Sequence, residues 1–321
     1  MEEKKLILSS SPHLTSQATT RGIMRDVIIA LIPALIASVI YFGYDSIITV
    51  CACVASCVLF EWISRKVMKR KNTVGDLSAV VTGLLLAFNL PAGIPVYICI
   101  IGGVAAIVVC KQMFGGIGNN FTNPALTARI ILLVSFASAM TRFPTPFAWI
   151  DSSIDAVTGA TPLGLIAEGG GSVPSYMDLF LGNHGGSLGE TCALALILGG
   201  IYLVARKVIS AVIPLVYIGT VFLFSFALGQ DPVVQILSGG LMLGAIFMAT
   251  DYVTSPMTIK GKVIYALGCG FLTVCIRTFA ALPEGVSYSI VLMNILTPLI
   301  DRGTMNRVFG TKKTGKGAEA K

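Results

Sequence analysis

Apolar stretches recur along the whole chain, many near the ~20 residues a helix needs to cross ~30 Å of hydrocarbon, and short polar segments separate them. The pattern predicts ten spans, at 27–44, 46–63, 77–90, 94–110, 124–140, 191–205, 208–228, 233–250, 262–280 and 284–300. Two are irregular. The third is short, and Asn89-Leu90-Pro91-Ala92-Gly93 breaks it from the fourth. The eighth runs into Thr250-Asp251-Tyr252-Val253-Thr254-Ser255-Pro256, a string that cannot continue as lipid-facing helix. The expected fold class is an all-α polytopic membrane protein.

Composition agrees. Of 321 residues, 55% are hydrophobic and 12% charged, where soluble domains run about 25% charged, and the mean hydropathy is +0.83. Met1–Arg25 is polar and the first apolar run starts only at Val27, so no signal-peptide layout is visible and that run reads as an anchor.

Charge placement orients the chain. With the N-terminus inside, 20 of the 23 Lys and Arg residues fall in inner segments, as the positive-inside rule predicts. The net charge of +7 therefore reflects topology, and nucleic-acid binding is a poor reading of it. The expected organisation is a cytoplasmic segment 1–26, membrane helices 1–5 over 27–140, an outer loop 141–190, membrane helices 6–10 over 191–300, and a basic cytoplasmic tail 301–321.

Five plus five spans is the arrangement of an inverted repeat, because an odd number of spans flips the second copy. Leu77–Leu86 in span 3 echoes Leu237–Ile246 in span 8, and each precedes a Pro-containing break. Paired broken helices line a central site, since irregular backbone needs protein or water around it. The eight cysteines all fall in or beside apolar spans and read as soft packing residues. The cluster Cys51, Cys53, Cys57 lacks the CxxC-type spacing of an iron–sulfur site. His13 and His184 have no metal-ligand partners in sequence, and no metal site is expected.

The outer loop carries the most specific string, Asp155-Ala156-Val157-Thr158-Gly159-Ala160-Thr161-Pro162. Gly159 and Ala160 keep the approach to Thr161 unhindered, and Pro162 biases Thr161 to extended backbone. Proline at the first helical position makes Thr161 an N-cap with a short helix, 162–168, behind it, so that a phosphoester on Thr161 would sit near free backbone N–H groups. The bland alternative is a capped loop.

The string resembles the Asp-x-x-Ser/Thr-Gly-Ala-Thr pattern at which FMN is joined through its phosphate to a threonine hydroxyl in the membrane components of Rnf and sodium-pumping NADH:quinone reductase complexes. Over essentially its whole length the chain resembles the D component of the Rnf complex (RnfD), a ferredoxin:NAD⁺ oxidoreductase that couples electron flow to Na⁺ or H⁺ transport. The B component of the sodium-pumping reductase is a close relative with a longer N-terminal region; only about 26 residues precede span 1 here, which favours the Rnf assignment. The resemblance implies FMN on Thr161, with Thr158 the competing hydroxyl and Asp155 assisting recognition or Mg²⁺-dependent transfer. It implies a flavin transferase and the other Rnf components (A, B, C, E and G) as partners, and no activity for the chain alone.

Gly115–Arg129 resembles the family's Asn-Pro-Ala segment, implying a second, non-covalent flavin (riboflavin) beside Asn120 and Asn123, whose amides suit an isoalloxazine edge. The alternative is a glycine-rich loop with a helix cap. Asp251, at a helix break, is a candidate for an ion pathway or for a loop residue at the inner surface. Arg129 would contact a carrier or snorkel inward, Arg277 would pair with Glu284 or the flavin phosphate, and Glu61 and Asp76 would be solvated or paired with the Arg65–Lys71 cluster. The two flavins would then lie at opposite ends of a ~30 Å barrier, to be connected by partner-borne carriers or subunit motion. The rival reading is a non-redox small-solute or ion transporter or channel; a third is a scaffold that is never flavinylated.

Overall fold

The computed structural model describes residues 19–150, 161–168, 174–280 and 284–305, and among these the fold is helices and turns with no β-strand. It is an all-α polytopic membrane protein. Helices α1 (Thr20–Phe42), α2 (Tyr44–Val67) and α12 (Ile259–Phe279) are each long and apolar enough to cross a bilayer. Between them lie α3 (Ser78–Phe88), α4 (Val96–Gln112), α5 (Pro124–Ser135), α6 (Pro162–Glu168), α7 (Tyr176–Leu181), α8 (Ala193–Ala205), α9 (Val212–Ala227), α10 (Pro232–Leu237) and α11 (Leu241–Leu243, running on to Met248). Helix α13 (Gly285–Thr304) closes the described chain. The second half of α4 and the end of α11 widen into π-type turns.

Local chemistry sets the helix starts. Thr19 and Thr258 cap α1 and α12 through their hydroxyls. Asn123 and Asp231 each cap a helix with proline at its first position, where the missing N–H costs nothing. In the core, Tyr217 of α9, Thr273 of α12 and Ser289 of α13 share hydroxyl contacts of 2.7–3.1 Å.

Several contacts of the first half have a counterpart in the second. Helices α2 and α4 pack together, as do α9 and α12; α4 meets α5 as α12 meets α13; α3 meets α5 as α11 meets α13. The halves join through α1 against α8 and α5 against α13. The short members of the pairing are α3 and α11. At 1.5 Å per residue, the 11 residues of α3 rise only about 16 Å, half of a bilayer core. Both are entered through left-handed backbone, at Leu77 (φ 66) and Gly240 (φ 70). Matched on these entry points, the Leu77 and Leu237 strings stand three residues out of the register that their sequence echo suggests.

Span 8 departs from expectation in a second way: it breaks in its middle, at Ser238-Gly239-Gly240 between α10 and α11, as well as after Thr250. Gly239 and Gly240 turn left-handed at the break, and a cation satisfies the chain there. Arg277 of α12 donates to the carbonyls of Gln235, Ser238 and Gly239 and to the Gln235 side chain, at 2.6–3.0 Å. The carbonyls released by the break are thereby satisfied inside protein, the condition for irregular backbone at membrane depth. Arg277 thus pairs with backbone rather than with Glu284.

Candidate functional sites at the two ends

The rim of the first site is Thr161. Its hydroxyl oxygen accepts the Gly164 N–H at 3.1 Å and its carbonyl accepts the Leu165 N–H at 2.9 Å, so it is the N-cap of α6. The side chain is partly exposed. Asp155, Thr158, Gly159 and Ala160 lie outside the described residues. Beneath Thr161 a small pocket is walled by Leu163, His184, Glu190, Gly239 and Glu284.

The floor of this pocket is a buried charge network. Arg129 donates to Glu190 and to the Asn89 side chain, both at 2.7 Å, and also pairs with Glu284. Its exposure is 3%. The expectation that Arg129 snorkels to the inner surface is therefore corrected: two carboxylates and an amide hold it in the interior. A long polar segment makes this possible. Leu188 and Gly189 donate backbone N–H groups to the carbonyls of Leu90 and Phe88, so the stretch before α8 folds inward against the end of α3 and delivers Glu190 to the arginine. Gly240 completes the fit: a Cβ there would lie 2.3 Å from the Glu190 carboxylate oxygen.

The second site is a cavity of about 370 Å³, within the size range of small-molecule and cofactor pockets. It lies at the start of α1, whereas Thr161 lies at the end where α12 finishes. Its apolar wall includes Met24, Val27, Val81, Leu85 and Phe247, and its polar edge brings together Lys111, Asn120, Asn123 and Asp251. Asn120, Asn123 and Asp251, separate candidates in the sequence, thus share one cavity.

Their side chains are not equally free. Asn123 caps α5 by accepting from Ala125 (3.1 Å) and Leu126 (3.4 Å), and donates to the Met248 carbonyl at 3.2 Å. Both ends of its amide are engaged, as the helix-cap alternative requires. Asn120 donates to the Thr122 carbonyl at 3.2 Å. Asp251 accepts from the Val253 N–H (3.4 Å) and the Thr254 hydroxyl (3.2 Å), and burial pushes its carboxyl above the ordinary range.

Lys111 is the residue that sequence reasoning passes over, as one more inner-surface cation. It is buried and its ammonium donates to Glu61 at 2.8 Å and to Ser78 at 2.7 Å. Glu61, expected to be solvated or to pair with the Arg65–Lys71 cluster, is fully buried against Lys111 and Thr73. Asp76 turns instead onto Ser78, accepting from its N–H and hydroxyl. Nothing local in the sequence marks this pairing, because the acid lies 50 residues away. Cys53, Cys57, Cys99, Cys110 and Cys269 are buried among helices.

Comparison with known proteins agrees across the chain. The model of the NQR2, RnfD, RnfE family matches residues 7–310. The D component of the Na⁺-translocating ferredoxin:NAD⁺ oxidoreductase complex of Acetobacterium woodii is 50% identical over 323 residues, covering all of both chains. The D component of the proton-translocating ferredoxin:NAD⁺ oxidoreductase complex of Clostridium ljungdahlii is 44% identical over 95% of this chain and 96% of its own. The D component of the ion-translocating oxidoreductase complex of Escherichia coli is 33% identical over 95% and 99%. With its profile matched nearly end to end, this chain belongs to the NQR2, RnfD, RnfE family.

Proposed function

We propose that this chain is the membrane electron-transfer subunit of an Rnf-type complex, coupling electron transfer between ferredoxin and NAD to Na⁺ or H⁺ translocation. It carries FMN on Thr161, attached by a separate flavin transferase, and a second, non-covalent flavin (riboflavin) in the cavity beside Asn120. It works with the other Rnf components (A, B, C, E and G). The termini face the cytoplasm and Thr161 faces outward, a reading that the Lys and Arg distribution supports.

The observation that carries the reading is Thr161 itself. The flavinylation string ends on a hydroxyl at the partly exposed rim of a pocket, on a helix cap that fixes its direction. The donor set of the second cavity fits a flavin. Its walls are apolar, and its edge sets the Asn120 amide, and the Lys111 ammonium that Glu61 and Ser78 hold in place, toward ring carbonyls and nitrogens. Bound flavin supplies one- and two-electron chemistry that no side chain here provides. Thr161 anchors; Lys111 and Asn120 orient; Met24, Val27 and Phe247 exclude water. Asp251, at the cavity edge, is the candidate for contact with a translocated ion.

The test is intact mass and in-gel flavin fluorescence of the denatured protein, for wild type and Thr161→Ala, each produced with a flavin transferase. An FMN-sized increment and fluorescence in wild type alone support the reading. Their absence from wild type, with a transferase active on a control protein, returns the chain to the non-redox transporter reading.

A further inference from the structure

His184 has no part in the function above, yet its ring stands in the wall of the Thr161 pocket. The residue is 6% exposed. Its Nδ1 lies 3.1 Å from the Gly185 carbonyl, which favours the neutral tautomer with the proton on Nδ1. Nε2 is then the bare nitrogen, and it is buried with no hydrogen-bond partner among the described residues. Leaving a buried polar atom unpaired is unfavourable, so the position calls for a partner from outside the described chain.

The charged groups around this ring are already engaged. Glu190, before α8, and Glu284, before α13, are held by Arg129 of α5. Arg277 of α12 is held by backbone carbonyls, and Asp178 of α7 accepts the Ser175 hydroxyl. The two arginines and two glutamates cancel in charge. A phosphodiester on Thr161 adds one negative charge at the mouth of this pocket, close to the carboxylates of Glu190 and Glu284, where a further anion is disfavoured unless a cation meets it.

We propose that His184 holds the phosphate of the group carried on Thr161, its imidazolium donating the Nε2–H to a phosphodiester oxygen. This rests on the reading of Thr161 as the flavin acceptor. Before attachment, burial keeps the ring below the ordinary histidine range and therefore neutral. The arriving anion favours the protonated ring, so the pocket takes up one proton with the phosphate, which offsets the added charge. The ligand chemistry is specific: a tetrahedral anion tethered through Thr161, with the ring approaching from the side opposite the Gly185 carbonyl.

The experiment uses the assembled complex matured with its transferase, as wild type, His184→Gln and His184→Arg. Mass of the denatured protein scores loading, and fluorescence anisotropy of the covalent flavin in the folded complex is followed across about pH 5 to 8, where imidazoles titrate. Wild type is expected to show a tethered, high-anisotropy flavin at low pH that loosens through one transition as the ring deprotonates. His184→Gln should lose the transition and stay loose; His184→Arg should lose it and stay tight. A loaded wild type without the transition, or a loaded His184→Gln that keeps it, overturns the assignment of His184 and leaves Thr161 standing. A wild type that never carries flavin overturns the Thr161 reading, and the role of His184 with it.

Discussion

Asn120 and Asn123 lie three residues apart, line one cavity and have different jobs. Asn123 caps α5 and ties it to the carbonyl of Met248, so Asn123→Ala should lower stability by about 0.5–2 kcal/mol for the cap alone, read as a drop in the thermal midpoint in detergent. Asn120→Ala should leave that midpoint nearly unchanged and reduce the non-covalent flavin recovered with the purified complex; equal flavin content in Asn120→Ala and wild type would remove Asn120 from the site. The Lys111–Glu61 pair sets a sharper contrast. Removing one buried partner strands the other, so Glu61→Gln or Lys111→Met alone should each destabilise by about 3–5 kcal/mol, while the double replacement Glu61→Leu with Lys111→Met should recover most of it. Thermal midpoints of the three variants check this. At this scale the sequence is informative where a residue acts through its neighbours in the chain. Thr161 and Asn123 both reveal their capping roles through the proline that follows. Arg129 and Lys111 escape such reasoning because their acidic partners lie 50 to 155 residues away, and a cation near the end of an apolar run looks the same whether it is solvated or paired.

The short helices α3 and α11 carry the architecture at the next scale. Each borders irregular chain inside the body of the protein, and that chain is satisfied there: after α3 the carbonyls of Phe88 and Leu90 accept the Gly189 and Leu188 N–H groups, and before α11 the carbonyls of Gln235, Ser238 and Gly239 accept from Arg277. Gly240 is where these devices converge. Its φ of 70 is open to glycine and strained for alanine, and a Cβ would push Glu190 off Arg129. Gly240→Ala should therefore cost about 1–3 kcal/mol in backbone strain and disturb the network as well. A matched Gly219→Ala, inside α9 where a Cβ meets nothing within 4 Å, should hold or slightly raise the midpoint, since alanine is the better helix former; similar midpoints for the two variants would show that the entry to α11 tolerates a side chain. Span existence is legible from hydropathy because burial in lipid leaves a composition signal. The break inside span 8 is not, since Ser238-Gly239-Gly240 is small and apolar enough to pass for membrane helix, and what satisfies the opened carbonyls is an arginine from another span.

For the whole molecule, the question is how far apart the two sites stand. From Asn123, at the cavity, to Arg129, in the floor of the Thr161 pocket, α5 rises by six residues, about 9 Å. The polar floor of one site thus approaches the other far more closely than the ~30 Å of a full hydrocarbon core, because the two short helices and the segment before α8 let polar groups enter from both faces. That geometry is useful only if the sites open to opposite sides of the membrane, which is itself testable. Met177, in α7 beside the Thr161 end, is 67% exposed, and Met257, in the loop before α12, is 82% exposed. Single cysteines at these positions, Met177→Cys and Met257→Cys, should report the two faces to a membrane-impermeant maleimide applied to intact cells. Wild type, with its eight native cysteines, supplies the background. Met177→Cys should label without permeabilisation and Met257→Cys only after it, as expected if Lys and Arg hold the Met257 face in the cytoplasm. The reverse pattern would invert the orientation and place Thr161 inside. Labelling of both positions in intact cells would contradict the separation of the sites by the membrane, and with it the idea that this protein carries electrons between two faces rather than along one.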